Sequence, residues 1–306
     1  MFNNLYTGRF ARTERGILME AVGGTQKGKV TLVAVFYNEE KKLPGYFRNV
    51  EGVFDDVIVV DCSSTDATAE ICRKNKATVL SSGYRYFEQN VNAALARVKT
   101  EYVFVLDADE RLSDGLKREI RESAASAKFD RYYMHRFNYI FGSFAKHEVR
   151  NIWLPRLFRL GHVRWVREEP HETSLMTGTL TRLSSPMYHY ANPSTVYWLK
   201  KTADYLDTMP REYAKKGQKK VNLGERVGAI AIVFGSHGWR RLVLFPVFQV
   251  FNYLFRHRLV LDGSAGITFS CCQGVYAFIE EAIHQEAARK EKTGAKFDWA
   301  NEYPEK

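Results

Sequence analysis

The sequence predicts an α/β fold: a mostly parallel sheet flanked by helices in its first half, followed by a helical C-terminal extension. Short apolar, β-branched or aromatic runs recur at residues 30–38 (VTLVAVFYN), 56–61 (DVIVVD), 77–80 (ATVL) and 102–107 (YVFVLD), as in strands buried on both faces. Between them apolar residues return at helical spacing: Leu43, Phe47 and Val50, then Ala69, Ile71 and Cys72, then Val91, Ala94, Leu95 and Val98. Such alternation implies parallel strands joined by right-handed crossovers. Three of the four runs also end in polar residues: Asn38 and Glu39; Asp61 with Ser63, Ser64, Thr65 and Asp66; and Asp107, Asp109 and Glu110. In open sheets of this kind, ligands sit at the carboxyl ends of the strands.

Residues 1–28 show no sustained period, and GGTQKGK reads as a lead-in to the first strand. Residues 29–130 carry the strand–helix alternation. From 131 to 192 the chain turns irregular and aromatic, as short strands and loops would, and from 193 to 306 helical patterns return. The whole chain of 306 residues, 45% hydrophobic and 26% charged, is long enough for a large core and belongs to the globular class. A net charge of +10 draws polyanions, anionic lipid or phosphorylated ligands without choosing among them. Cys62, Cys72, Cys271 and Cys272 form no CxxC pair, and no signal peptide is apparent, which predicts a reducing, cytoplasmic setting and small buried thiols.

The run YVFVLDADE places three carboxylates directly after a strand. If residues 107–109 stay extended, Asp107 and Asp109 point the same way, with Ala108 opposite. Two acids that close repel unless a cation compensates, so the pattern predicts a hard divalent metal, Mg2+ or Mn2+, with phosphate oxygens completing its shell. Solvated loop acids or caps of the following helix are the competing reading.

VAVFYNEE, VIVVDCSSTDAT and YVFVLDADE, in this order and spacing, resemble the successive motifs of family 2 glycosyltransferases with the GT-A fold, and most closely the bacterial lipopolysaccharide core glucosyltransferase branch. The resemblance is strong over residues 29–130. It implies inverting transfer of a sugar from a nucleotide-diphosphate donor, commonly UDP-linked, to an acceptor hydroxyl. Phe36, Asn38, Glu39, Asp61, Ser64 and Asp66 then fall where the family lines the nucleotide, and Asp107, Ala108 and Asp109 where the D-x-D turn holds metal and diphosphate. Many members read Asp-Asp-Gly-Ser where this chain reads DCSS, which leaves the base of the nucleotide open. The implied domains are a catalytic GT-A domain over 29–192, its donor half at 29–130 and acceptor half at 131–192, and a C-terminal extension over 193–306.

An inverting transfer needs one base to take the acceptor proton. In the resembling branch a stretch ending in HE follows RLFR; here RLFR (156–159) precedes EEPHE (168–172), which makes Glu172 the first choice and Glu168 and Glu169 its rivals. His171 is expected to position substrate, and His189 to be a third metal ligand or a diphosphate contact. Arg156, Arg159, Arg164 and Arg167, interleaved with Phe158 and Trp165, suit a phosphorylated acceptor or plain packing better than nucleic acid, because no nucleic-acid module accompanies them. Residues 239–258, WRRLVLFPVFQVFNYLFRHR, are apolar with basic ends and too short to span a bilayer. They predict attachment to a membrane surface, or else a buried helix. The expectation is a peripheral enzyme of the inner membrane face acting on a lipid-linked or lipopolysaccharide-type glycan, against a protein or polyprenyl-phosphate glycosyltransferase or a non-catalytic nucleotide-binding protein.

Overall fold

The computed structural model describes residues 25–82, 86–147, 153–168, 171–215 and 239–293, without the side chains of 167, 168, 171–173, 205, 207–215, 239, 240 and 287–293. The chain divides into two compact units, Met1–Asn138 with Arg150–Ala191, and Tyr139–Val149 with Asn192–Lys306.

In the first unit, strands β1 (Gln26–Phe36), β2 (Asp56–Asp61), β3 (Thr78–Ser81) and β4 (Thr100–Val105) run parallel in the order β3-β2-β1-β4. Helices α1 (Leu43–Val50), α2 (Thr68–Lys74) and α3 (Phe87–Leu95) connect them. The pleat of β1 explains its continuous apolar run. Val30, Leu32, Ala34 and Phe36 enter one core with Leu43, Tyr46 and Phe47, whereas Val33 enters the other with Ile58, Val60, Val91 and Leu95. Both faces are therefore buried, and β1 and β2 finish level, with Phe36 opposite Asp61.

The strand predicted to reach Asp107 stops at Val105, because the chain turns and the Glu110 N–H closes back on the Asp107 carbonyl at 3.0 Å. After β5 (Glu110–Leu112), Ser113 caps α4 (Asp114–Ser126) by accepting the Leu116 N–H at 3.2 Å. The second half extends the sheet instead of forming separate loops. Strands β6 (Arg131–Ile140) and β8 (Trp153–Arg159) are antiparallel to each other, β8 lies antiparallel beside β4, and the order continues β4-β8-β6-β12-β5 with β12 (Met187–Asn192). Strands β9 (Val163–Glu168) and β10 (His171–Met176) form a hairpin, and β11 (Leu180–Arg182) pairs with β6. Gly178 enters β11 at φ +81°, where a Cβ would collide with the Asp130 carboxylate.

The second unit holds β7 (Ser143–Ala145), α5 (Thr195–Lys215), α6 (Trp239–Phe251) and α7 (Gly263–Thr293). A π turn over Asn252–Arg256 and a 3-10 turn over Leu259–Asp262 link the last two. Helix α6 contains Pro246, and Gly274 of α7 lets the two helices approach: a Cβ there would meet Val250 Cγ2 at 2.5 Å and the Pro246 carbonyl at 3.1 Å. Arg241 reaches the buried Glu281 at 2.8 Å. Among the described residues, no helix is long and apolar enough to cross a membrane.

Candidate active site

The level ends of β1 and β2 bring two polar loops side by side, and hydrogen bonds stitch them together. The Asn38 N–H donates to Ser64 Oγ at 3.0 Å and Asn38 Oδ1 accepts the Thr65 N–H at 2.8 Å. The Glu39 N–H donates to Thr68 Oγ1 at 2.7 Å, and the Glu40 N–H to Asp66 Oδ2 at 3.1 Å. Asn38 and Ser63 sit in the left-handed region, at φ 53° and 61°, which lets both loops fold over the strand ends. Ser64 and Asp66, expected beside a nucleotide, thus build the loop frame. Phe36 is buried beneath it against Tyr46, with ring centroids 5.3 Å apart.

Within this frame Asp61 is buried. Its Oδ2 accepts the Ser64 N–H at 3.3 Å, whereas its Oδ1 is buried without a hydrogen-bond partner among the described residues. A buried carboxylate oxygen left in that state is costly unless a ligand donor reaches it.

The D-x-D turn is organised differently. Because the chain turns at Ala108 and Asp109, Asp107 and Asp109 do not share one extended face as the alternation argument expected. Asp107 Oδ2 accepts Arg156 Nη2 at 2.7 Å, and the same Nη2 reaches the fully buried Glu110 at 2.6 Å. Glu110 also accepts the Asp107 N–H at 3.1 Å and Arg136 Nη1 at 3.4 Å. Below the turn, the Tyr46 hydroxyl donates to the Leu106 carbonyl at 3.2 Å. Burial pushes that phenol well above its ordinary pKa, and the charges of Asp107 and Glu110 push the same way.

Asp109 faces β12. The β5–β12 register sets His189 opposite Glu110, and the Tyr190 N–H donates to the Asp109 carbonyl at 2.8 Å. His189 Nδ1 lies 2.8 Å from Asn138 Oδ1, so this nitrogen carries the hydrogen. His189 Nε2 lies 3.5 Å from Asp109 Oδ2. A carboxylate and an imidazole at this spacing fit a divalent cation whose other ligands come from phosphate and water. Among the described residues, no three His, Cys, Asp or Glu side chains gather as a complete metal cage, and Asp107 is held by Arg156.

The base candidates lie on the β9–β10 hairpin, where Glu172 is in register with Arg167 and His171 with Glu168; Glu169 lies outside the described residues. Helix α3 anchors this hairpin: Asn92 accepts the Trp165 N–H at 3.1 Å and donates to the Trp165 carbonyl at 2.7 Å. Sequence reasoning assigned no role to Glu110, Arg136 or Asn138. Glu110 stands between Asp109 and Arg111 and carried no local signal of burial; nor did the other two, because all three roles arise only from sheet register.

The sequence profile of Glycosyl transferase family 2 matches residues 31–184, half of the chain, and takes in both edge loops, the D-x-D turn and the hairpin. The chain belongs to glycosyltransferase family 2. Two relatives from Rickettsia carry the name glycosyltransferase. An uncharacterized glycosyltransferase of Rickettsia conorii is 26% identical over 238 residues, covering 72% of this chain and 82% of the relative. Another, of Rickettsia felis, is 25% identical over 283 residues, covering 86% and 92%. Among solved structures, Staphylococcus aureus TarS 1–349 is similar with a TM-score of 0.43 and 11% identity over 88% of this chain and 93% of that one. Glucosyl-3-phosphoglycerate synthase of Mycobacterium tuberculosis, solved with Mn2+, UDP and glucosyl-3-phosphoglycerate, gives a TM-score of 0.30 and 19% identity over 42% and 50%. The mixed sheet with its flanking helices is the GT-A architecture of this family.

Proposed function

We propose that this glycosyltransferase moves a hexose, with inversion, from a UDP-linked donor to a hydroxyl of a lipid-linked or lipopolysaccharide-type glycan. The observation that carries the donor reading is Asp61 Oδ1, a buried acceptor without a partner among the described residues, at the carboxyl edge of the sheet. An imide N–H or a ribose hydroxyl supplies the donor it lacks, and the stitched loops hold that acceptor in place before the nucleotide arrives.

The diphosphate then lies at the D-x-D turn. Asp109 and His189 are the residues that would hold a divalent metal, with Asp107 beside them. When bound, such an ion stabilises the negative charge that grows on the departing diphosphate. Arg156 keeps Asp107 oriented, and Asn138, by accepting the His189 Nδ1–H, holds the ring with Nε2 toward Asp109. Glu172 takes the proton from the acceptor hydroxyl as that oxygen attacks the anomeric carbon and the bond from sugar to phosphate breaks. Glu168 and Glu169 are the alternatives.

The acceptor reading is supported by the second unit. Leu244, Val247, Phe251 and Phe255 are exposed at helical spacing, with Leu261 exposed beyond them and Arg256 and Arg258 at their end. An apolar stripe ending in arginines suits a membrane interface with anionic headgroups.

One experiment tests the core of the reading: purified chain is incubated with UDP-hexoses, Mn2+ and a lipid-linked glycan, and the product mass is measured for the wild type and for Glu172→Gln, Glu168→Gln and Glu169→Gln. A hexose increment that Glu172→Gln reduces by about 10²–10⁴-fold in kcat is expected. A larger loss from Glu168→Gln or Glu169→Gln would move the base, and absence of UDP release from every donor would overturn the transfer. Flotation with phosphatidylglycerol and phosphatidylcholine vesicles tests the membrane part. Binding to the anionic vesicles that Phe251→Ser/Phe255→Ser abolishes is expected, and equal flotation of the variant would sink it.

A further inference from the structure

Beside the D-x-D turn, the first unit holds a second polar cleft of about 590 Å³. Arg48, Arg111, Lys117, Tyr188 and Tyr190 line it, together with one acid, Asp114. None of Phe36, Asn38, Asp61, Asp107 or Asp109 does, so this is not the nucleotide edge.

The charge balance of the cleft is one-sided. Asp114 is 87% exposed and is paired with Lys117 at 2.9 Å. Arg48 is exposed and has no ion-pair partner among the described residues. Arg111 donates to the carbonyls of Ala108, Glu110 and Lys42 at 2.9, 2.7 and 3.0 Å, all neutral acceptors. Burial lowers its pKa; Tyr46, Tyr190 and the Asp109 carboxylate offset part of that, and Arg48 adds a smaller lowering. Gly45 forms part of the floor, where a side chain would press within 3.3 Å of Arg111 Nη2. With Lys117 matched to Asp114, two guanidiniums and two phenols converge on a space large enough for a small ligand. A polar wall with that excess charge does not select an apolar molecule; it selects a multiply charged oxyanion.

We propose that this cleft binds a phosphate dianion, carried on a phosphorylated saccharide or present as the free ion. Two residues of the cleft wall also hold the D-x-D turn. Arg111 holds the Ala108 and Glu110 carbonyls, and the Tyr190 N–H holds that of Asp109. The proposal does not rest on the donor or acceptor described above.

The test uses the full chain in metal-free buffer, titrated calorimetrically with inorganic phosphate and with glucose 6-phosphate, with sodium chloride of matched ionic strength as the control. Both titrations are repeated with saturating UDP, and on Arg48→Gln/Lys117→Gln. The expected result is phosphate binding that persists with UDP present and weakens at least about tenfold in the double variant, whose UDP affinity is unchanged. Tighter binding of glucose 6-phosphate than of phosphate assigns the dianion to a saccharide, and equal or weaker binding assigns it to the free ion. Equal affinities of wild type and variant, no heat beyond the chloride control, or displacement by UDP would each overturn the site. Should the double variant not fold, Arg48→Gln at its exposed position carries the same comparison.

Discussion

The two halves of the sheet edge are held in different ways. The loops after β1 and β2 are fixed by hydrogen bonds to each other, with Ser64, Thr65, Asp66 and Thr68 bonding the backbone or side chains of Asn38, Glu39 and Glu40. The D-x-D turn is fixed by charges brought from distant strands: Arg156 from β8, Arg136 from β6 and His189 from β12. The first arrangement leaves one acceptor free for a ligand, whereas the second leaves acids whose charge is already partly balanced. A preformed hydrogen-bond frame suits a neutral nucleoside; a charge-balanced turn suits a diphosphate and its counter-ion, whose charge varies through a reaction cycle.

The largest expected effect breaks the second arrangement. Glu110 is fully buried and meets Arg156, Arg136 and the Asp107 N–H. Glu110→Ala takes from Arg156 and Arg136 a buried carboxylate partner and should destabilise the fold by about 3–5 kcal/mol, read as the midpoint of urea unfolding. A loss below about 1 kcal/mol would mean that the turn does not depend on the buried ion pair.

The next effect separates binding from stability on the other side. Asp61→Asn keeps an oxygen for the Ser64 N–H and removes a charge whose Oδ1 has no internal partner. Relieved of that buried charge, the variant should unfold no earlier than the wild type, while UDP affinity falls about tenfold, or about 1.4 kcal/mol. If calorimetry gave unchanged UDP affinity, the nucleotide would have to sit elsewhere.

This contrast also explains what could be read from sequence. Asp61, Asn38, Glu39 and the D-x-D acids were legible because each follows directly on an apolar strand, and strand ends in a parallel sheet share one edge. The arginine partners were not, since Arg156 lies 46 residues from Glu110 and which arginine of RLFR turns inward depends on the register of an antiparallel strand. Local alternation went astray at Asp107 and Asp109 for a related reason: it assumes extended backbone, and the turn closing from Glu110 to Asp107 breaks it. Likewise the irregular texture after residue 130 hid a continuation of the sheet, because β6, β8 and β12 alternate aromatic, basic and apolar residues without one uniform face. Arg159 belongs with Arg156: it is turned into pairs with Glu101 and Asp130 at 2.6 and 3.0 Å, so packing, not a surface stripe, accounts for both.

A smaller effect probes a single stitch of the loops after β1 and β2. Thr68 is buried, and its Oγ1 accepts the Glu39 N–H at 2.7 Å. Thr68→Val keeps the volume and strands that N–H, which should cost about 1–2 kcal/mol and reduce UDP affinity less than Asp61→Asn does. A Thr68→Val chain as stable as the wild type would show that water replaces the stitch.

The smallest effect tests whether the two kinds of support can be separated within one residue. Asp130 receives the Thr179 N–H and hydroxyl at 2.7 and 2.8 Å, as the loops do, and Arg159 at 3.0 Å, as the turn does. Burial alone would raise its carboxyl pKa, but the Thr179 hydrogen bonds, and then His162 and Arg159, outweigh that and lower it. A carboxylate depressed in the folded state adds stability that is present above its unfolded pKa, about 3.9, and is lost as pH falls through the folded value. Asp130→Asn should therefore be less stable than the wild type at pH 7, with the gap narrowing as pH falls below about 4. Salt screens a charge pair more than a hydrogen bond, so repeating the melts in 1 M sodium chloride divides the gap. A gap that salt leaves nearly unchanged assigns it to Thr179, whereas one that collapses assigns it to Arg159. Parallel pH profiles for the two chains would mean that neither contact holds Asp130 more firmly in the folded state than water does in the unfolded one.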